Sequence, residues 1–303
     1  MKYYPVIIFC YNRHDLLFKL IESLNKNINI YKHKLYVFCD GPKNKKDIID
    51  IKKITKILNN FNYIKKKNII FRKKNIGLSE NIISGVSSVL GENAAVIVLE
   101  DDLQLGKNAI NFINYHLNKY KDKKEYASIS AYSYIHNLKY NENFYKFSLK
   151  RHCSWCWGTW SDRWKKVKWD KNFYINNLEN KSNKIKFNNL GNDMNLMLWG
   201  FIKNLLNSWS IRFNYHCMLN SLISIQPRYS MVVNNGSGKK GTNQRYSSND
   251  KFDNLDKIKF NNLKKKIYFS TRIDNYIKNK HKPSLRLLFY YFISKIFNFG
   301  IKE

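Results

Sequence analysis

The chain has 303 residues, enough for one large α/β domain with an ample core or for two closely fused halves. Its 54 Lys and Arg against 22 Asp and Glu give a formal charge of +32, which points to nucleic acid, to an anionic membrane, or to compositional drift. No zinc-finger, RRM or KH signature is present and the aromatics form no stacking platform, so no nucleic acid is expected as partner.

The first hundred residues alternate strand and helix signals. Residues 5–10 form a short apolar run of the kind a buried parallel strand gives. Asp15 offers an N-cap to a helix carrying Leu16, Leu17, Leu20, Ile21 and Leu24. Residues 34–39 read as a second strand ending in the turn Asp40-Gly41-Pro42, and 47–58 as a helix with Ile48, Ile51, Ile54, Ile57 and Leu58 on one side. A brief third strand is expected over 68–71. Ser79 then caps a helix with Ile82, Ile83, Val86, Val89 and Leu90, and the run 94–99 is a fourth strand. That order predicts an α/β fold with a doubly wound, mostly parallel sheet and right-handed crossovers.

Each strand releases polar residues at its carboxyl end, where ligands gather in open α/β sheets. Tyr11-Asn12-Arg13 follows the first, Asp40-Gly41 the second, Asn75-Ile76-Gly77 the third and Glu100-Asp101-Asp102 the fourth. Three carboxylates after a buried strand suit a hard divalent cation held beside a phosphate. Arg13 can pair a phosphate or ribose, and Asp40 can accept from a uracil imide.

Beyond the triplet, Trp155, Trp157, Gly158, Trp160 and Trp164 crowd into 154–164. Indole faces suit the C–H faces of sugars, and they equally suit a core. Asp193 opens an apolar helix-like run, where an ordinary N-cap is the plain reading. Residues 232–243, with three glycines and the pair Lys239-Lys240, read as a mobile loop. Cys153 and Cys156 have zinc-like spacing, but no second such pair exists. Five cysteines and a first strand that starts almost at Met1 suggest a reducing, cytoplasmic setting without a leader. The C-terminal tract from Leu285 to Phe299 is aromatic and apolar, interrupted by Arg286 and Lys295 and preceded by Lys278, Lys280 and Lys282. It is too short to span a bilayer, so it either lies in an anionic headgroup region or packs on protein.

The stretches 6–13, 38–41, 75–85, 96–103, 156–164 and 207–241 together resemble a glycosyltransferase of the GT-A class, in its N-acetylglucosaminyltransferase-I-like branch with Glu-Asp-Asp in place of Asp-X-Asp. The resemblance implies a metal-dependent, inverting transfer from a nucleotide sugar, a UDP-sugar for preference, to a glycan or lipid-linked acceptor in bacterial surface-polysaccharide synthesis. It implies Asp102 as the Mn²⁺ or Mg²⁺ ligand, with Glu100 and Asp101 against ribose, donor sugar or acceptor. Arg13, Asp40 and Asn75 would hold the nucleotide, and Lys239 and Lys240 would meet the diphosphate. Trp157, Gly158 and Trp160 would contact the acceptor, and Asp193 would be the catalytic base, with Asp162 and Asp170 behind it. It divides the chain into a nucleotide half (1–103), an acceptor half (104–265) and a basic tail (266–303). A lipid-linked acceptor would place it peripherally on the inner face of the cytoplasmic membrane. One departure is Asn243-Gln244 after Gly241-Thr242, where related bacterial sequences carry His-Cys, which removes a C-terminal histidine metal ligand. The alternative is a non-catalytic, basic membrane- or glycan-binding protein on a decayed transferase fold.

Overall fold

The computed structural model describes residues 1–61, 66–136, 138, 144–177, 179–236, 255–257 and 266–296. Its first part alternates β1 (Val6–Cys10), α1 (His14–Asn25), β2 (Leu35–Cys39), α2 (Lys45–Asn60), β3 (Lys67–Phe71), α3 (Leu78–Glu92) and β4 (Ala95–Glu100). The four strands pair in parallel in the order β3-β2-β1-β4. Successive residues serve opposite faces. Val6, Ile8 and Cys10 join Leu17, Leu20 and Ile54 in one core, while Ile7 and Phe9 join Phe38, Val86 and Val98 in the other. A strand covered on both faces needs apolar side chains at every position, which is why these runs read as continuous.

The chain continues through β5 (Leu103–Leu105), α4 (Ala109–Lys119), β6 (Tyr126–Ser130), β7 (Lys146–Leu149), β8 (Trp157–Trp160) and α5 (Ser161–Trp164). Then come α6 (Lys171–Asn177), α7 (Lys181–Asn188), α8 (Met194–Ile202), α9 (Trp209–Leu219), β9 (Ile223–Pro227) and β10 (Val232–Asn234). Strand β8 runs antiparallel between β4 and β6, so one eight-stranded sheet, β3-β2-β1-β4-β8-β6-β9-β7, crosses both halves of the chain. Strands β5 and β10 form a small antiparallel pair beside it. The fold is α/β with a mostly parallel, doubly wound sheet, as the sequence implies.

Helices α10 (Thr271–Lys280) and α11 (Leu285–Ile296) close the described chain. Ile273 and Ile277 of α10 pack with Phe147 and Leu149 of β7. Tyr291 of α11 meets Trp199 of α8, with ring centroids 5.2 Å apart. Among the described residues, no helix is long and apolar enough to cross a membrane.

Three helix starts differ from expectation. Helix α1 begins at His14 with Arg13, not Asp15, at the cap position. Helix α2 starts two residues earlier than expected, because Asn44 and Asp47 form a reciprocal capping box. Ser79 does not cap α3. Gly77 holds that position at φ 81°, a conformation costly for other residues, while the Ser79 hydroxyl accepts from Arg212 Nη2 at 2.6 Å.

Candidate functional site

Strands β1 and β4 lie side by side, but the chain leaves them toward opposite edges of the sheet. That makes the crevice at their carboxyl ends a topological switch point. Phe9 is in register with Glu100, and the Asp101 amide donates to the Phe9 carbonyl at 3.0 Å. The residues following the two strands therefore meet. Arg13 Nη1 donates to Asp102 Oδ2 at 3.1 Å, and Arg13 Nη2 pairs with Asp101 Oδ1.

Crowding three acids at one strand end perturbs them. Burial raises the Glu100 carboxyl well above the usual range, and the neighbouring Asp102 and Asp101 charges raise it further. Burial also raises Asp101, with Arg13 opposing. Burial works against the Arg13 charge, yet Asp101 and Asp102 hold its pKa above the ordinary value. Three carboxyls thus crowd one strand end, and Arg13 pairs with two of them.

Asp102 is the residue best placed for a cation. It is 9% exposed, and its Oδ1 is buried without a hydrogen-bond partner among the described residues. Such an oxygen costs free energy unless something satisfies it. The Asn235 amide donates to the Asp102 carbonyl at 2.7 Å, which brings the chain after β10 across the carboxylate. A Cβ on Gly236 would overlap Asp102 Oδ2, so a larger residue would have to displace the loop or the aspartate. These features fit a divalent cation. Among the described residues, no group of three or more His, Cys, Asp or Glu side chains is arranged to hold a metal. A cation would therefore take Asp102 and complete its shell from substrate and water oxygens, as Mg²⁺ does.

Asp40 and Asn75 fasten the rim. Asp40 Oδ1 accepts from the amides of Gly41 and Ile76 at 2.9 Å each, and Oδ2 from that of Gly77 at 3.0 Å. Asn75 Nδ2 donates to the Gly41 carbonyl at 2.9 Å. A Cβ on Gly41 would collide with the Lys74 backbone. Both residues thus join the β2 and β3 loops, which leaves Asp40 little capacity for a base.

Asp47, which the sequence reading passed over, anchors the β1 loop. Its carboxylate accepts from the Tyr11 hydroxyl (2.5 Å), Asn12 Nδ2 (2.8 Å) and the amides of Lys43 and Asn44. The spacing Asn44-x-x-Asp47 before a helix was the signal that could have revealed it.

Other expectations are corrected. Trp157 and Trp160 are core residues, 0% and 2% exposed. Trp157 stacks on Trp209 at 4.7 Å, and Trp160 Nε1 donates to the Leu117 carbonyl at 3.0 Å. Gly158 is small because Ile113, Leu117 and the Val96 carbonyl crowd it, not because a sugar does. In β8 these three residues line no open surface.

Asp193 is not an N-cap by its side chain. Both its oxygens accept from Arg151, at 2.7 and 2.9 Å, a bidentate buried pair. Among the described residues, no hydrogen bond or ion pair joins this pair to the Arg13 cluster. Asp162 lies past Trp160, which pairs with Ala95 at the start of β4, the rim opposite Glu100. Lys239 and Lys240 lie outside the described residues. Cys153 and Cys156 are buried with free thiols.

No protein-family model matches the chain, nor does any curated protein. Among solved structures it is similar to the mannosyltransferase PcManGT from Pyrobaculum calidifontis, solved with GDP-Man and Mn²⁺ (10% identity, 42% of this chain and 34% of that chain, TM-score 0.33). It is likewise similar to S. aureus TarS 1–349 in complex with UDP-GlcNAc (14% identity, 42% and 33% covered, TM-score 0.32). The chain spans about a third of the length of these proteins, and a likeness this slight carries no function by itself.

Proposed function

We propose that the chain is a metal-dependent glycosyltransferase, taking a sugar from a nucleoside-diphosphate donor, UDP-linked for preference, to a glycan or lipid-linked acceptor. The observation that carries this reading is the excess of carboxylate at the switch point of the sheet, with a buried Asp102 oxygen left without a donor among the described residues. A protein gains nothing in stability from such an arrangement, and a bound cation would satisfy it.

In this reading Asp102 holds Mn²⁺ or Mg²⁺, which supplies charge stabilisation for the departing diphosphate. Arg13 orients Asp101 and Asp102 and adds positive charge where phosphate would lie. Asp40, Asn75 and Asp47 keep the three strand-end loops in register, so that the donor meets a preformed rim. Gly236 lets the backbone close over Asp102. Inversion at the anomeric carbon and the Glu-Asp-Asp branch are inherited from the resemblance. Asp193 would serve as base only by giving up contacts with Arg151.

The test is a panel of nucleotide sugars incubated with the protein and Mn²⁺ or EDTA, followed for release of free nucleotide. Release from one nucleotide class, abolished by EDTA, supports the reading. Absence of release from every donor, with or without candidate acceptors, would favour a protein that binds without turnover.

A further inference from the structure

Helix α11 carries apolar side chains on both its inner and its outer face. Its inner face, with Leu287 buried and Tyr291 against Trp199, packs on α8. Its outer face exposes Leu285 (83%), Phe289 (62%) and Phe292 (60%) at positions i, i+4 and i+7, which one side of a helix presents together. Arg286 and Lys295 are also exposed on this helix. The sequence from 275 to 302 contains Lys278, Lys280, Lys282, Arg286, Lys295 and Lys302 and no acidic residue.

We infer that the outer face of α11 is a docking surface for an anionic lipid bilayer, lying flat with Leu285, Phe289 and Phe292 in the acyl boundary. Their exposure is costly in water and repaid in the interface. Long basic side chains beside such a stripe reach up to phosphate headgroups while their stems stay apolar. A run of cations without acids matches the negative surface of such a membrane. A second copy of the chain is a poorer occupant, because it would set the same cationic segment against itself in a molecule of charge +32. The inference rests on α11 and the basic C-terminal segment around it, and stands whether or not the chain transfers sugar.

The experiment is co-sedimentation of the full chain with vesicles of pure phosphatidylcholine and of phosphatidylcholine mixed with phosphatidylglycerol. It uses wild type, the double variant Phe289→Ser/Phe292→Ser, and Leu285→Gln as a milder second variant. All three positions are exposed, so melting temperatures should match wild type. Wild type should partition to the mixed vesicles and far less to the neutral ones, and the double variant should bind about tenfold or more weakly. Failure of wild type to bind the mixed vesicles overturns the inference. Equal binding by the double variant overturns it too, since charge alone would then suffice. A wild-type dimer in sedimentation equilibrium that the double variant loses would assign the face to self-association instead.

Discussion

Arg13 and Asp102 share one short contact that leaves half of the aspartate unsatisfied: Nη1 donates to Oδ2 at 3.1 Å, while Oδ1 is buried without a donor among the described residues. Arg13 is also the cation paired with Asp101. Replacing it by methionine strips the cluster of its counter-charge, and removing one partner of a largely buried pair costs about 3 kcal/mol. In EDTA, Arg13→Met should therefore melt several degrees below wild type. Adding Mn²⁺ should stabilise the variant more than wild type, because the cation then supplies the missing charge. Equal responses in differential scanning fluorimetry would count against a cation site at Asp102.

Gly236 sets how closely the chain after β10 approaches that carboxylate. Since a Cβ there would overlap Asp102 Oδ2, Gly236→Ala must move either the loop or the aspartate. The fold should survive, because the atoms an added methyl would meet are those of the Asp102 side chain. Mn²⁺-dependent nucleotide binding, read by calorimetry, should weaken by about tenfold, equivalent to about 1.4 kcal/mol. Unchanged affinity would show that the loop is irrelevant to the site.

Asp193 separates two accounts of one residue. If it is the structural partner of Arg151, Asp193→Leu leaves a buried guanidinium unpaired and lowers stability by about 3 kcal/mol. The double variant Arg151→Met/Asp193→Leu should recover much of that loss, since a buried ion pair can be exchanged for apolar residues at little cost. If it is the catalytic base, the double variant stays inactive by about 10²-fold or more even when stable. The ion-pair account expects restored stability with substantial turnover.

Buried histidines make the fold acid-sensitive. Burial lowers the pKa of His116 to about 3, with Lys146 and Lys119 adding to the effect, and it lowers His152 to about 3 with Arg151 adding. Each ring stays neutral in the folded chain at pH values where the unfolded chain, titrating near the ordinary 6.5, already binds a proton. The unfolded state therefore binds more protons between pH 6.5 and 3, and stability falls as pH drops through that window. The slope is about 1.4 kcal/mol per pH unit for each group. Urea midpoints measured from pH 7 to 4 should fall steadily, and His152→Asn should flatten the decline. Glu100 and Asp101 work the other way, since burial makes the folded chain bind their protons more readily. The decisive reading is therefore the difference: a pH dependence that His152→Asn leaves unchanged would contradict a buried neutral imidazole there.

What the sequence made legible was local. The runs at Val6–Cys10 and Ala95–Glu100 announce strands buried on both faces, and Arg13 and Glu100-Asp101-Asp102 follow them directly, so their meeting requires only the winding order. Remote pairings were hidden. Arg151 and Asp193 are 42 residues apart, and nothing in either segment names the other. The tryptophans of β8 show that an aromatic cluster exists but not which side of the sheet receives each ring. That depends on the antiparallel insertion of β8 between β4 and β6, which no spacing discloses. Gly236 looked like one glycine of a mobile loop, and its close approach to Asp102 follows from the pairing of β10 with β5. The place of Asp40 at a strand end suggests a ligand contact, and only the fold shows that three backbone amides also use it.

In the proposed function, Asp102 binds a divalent cation together with a nucleoside diphosphate. The most direct test is calorimetric titration of UDP and GDP into wild type and Asp102→Asn, each in Mn²⁺ and in EDTA. The expected result is binding of one nucleotide by wild type in Mn²⁺ only, lost in Asp102→Asn while its melting temperature stays close to that of wild type. Metal-independent binding, or equal Mn²⁺-dependent binding by the variant, would contradict the claim.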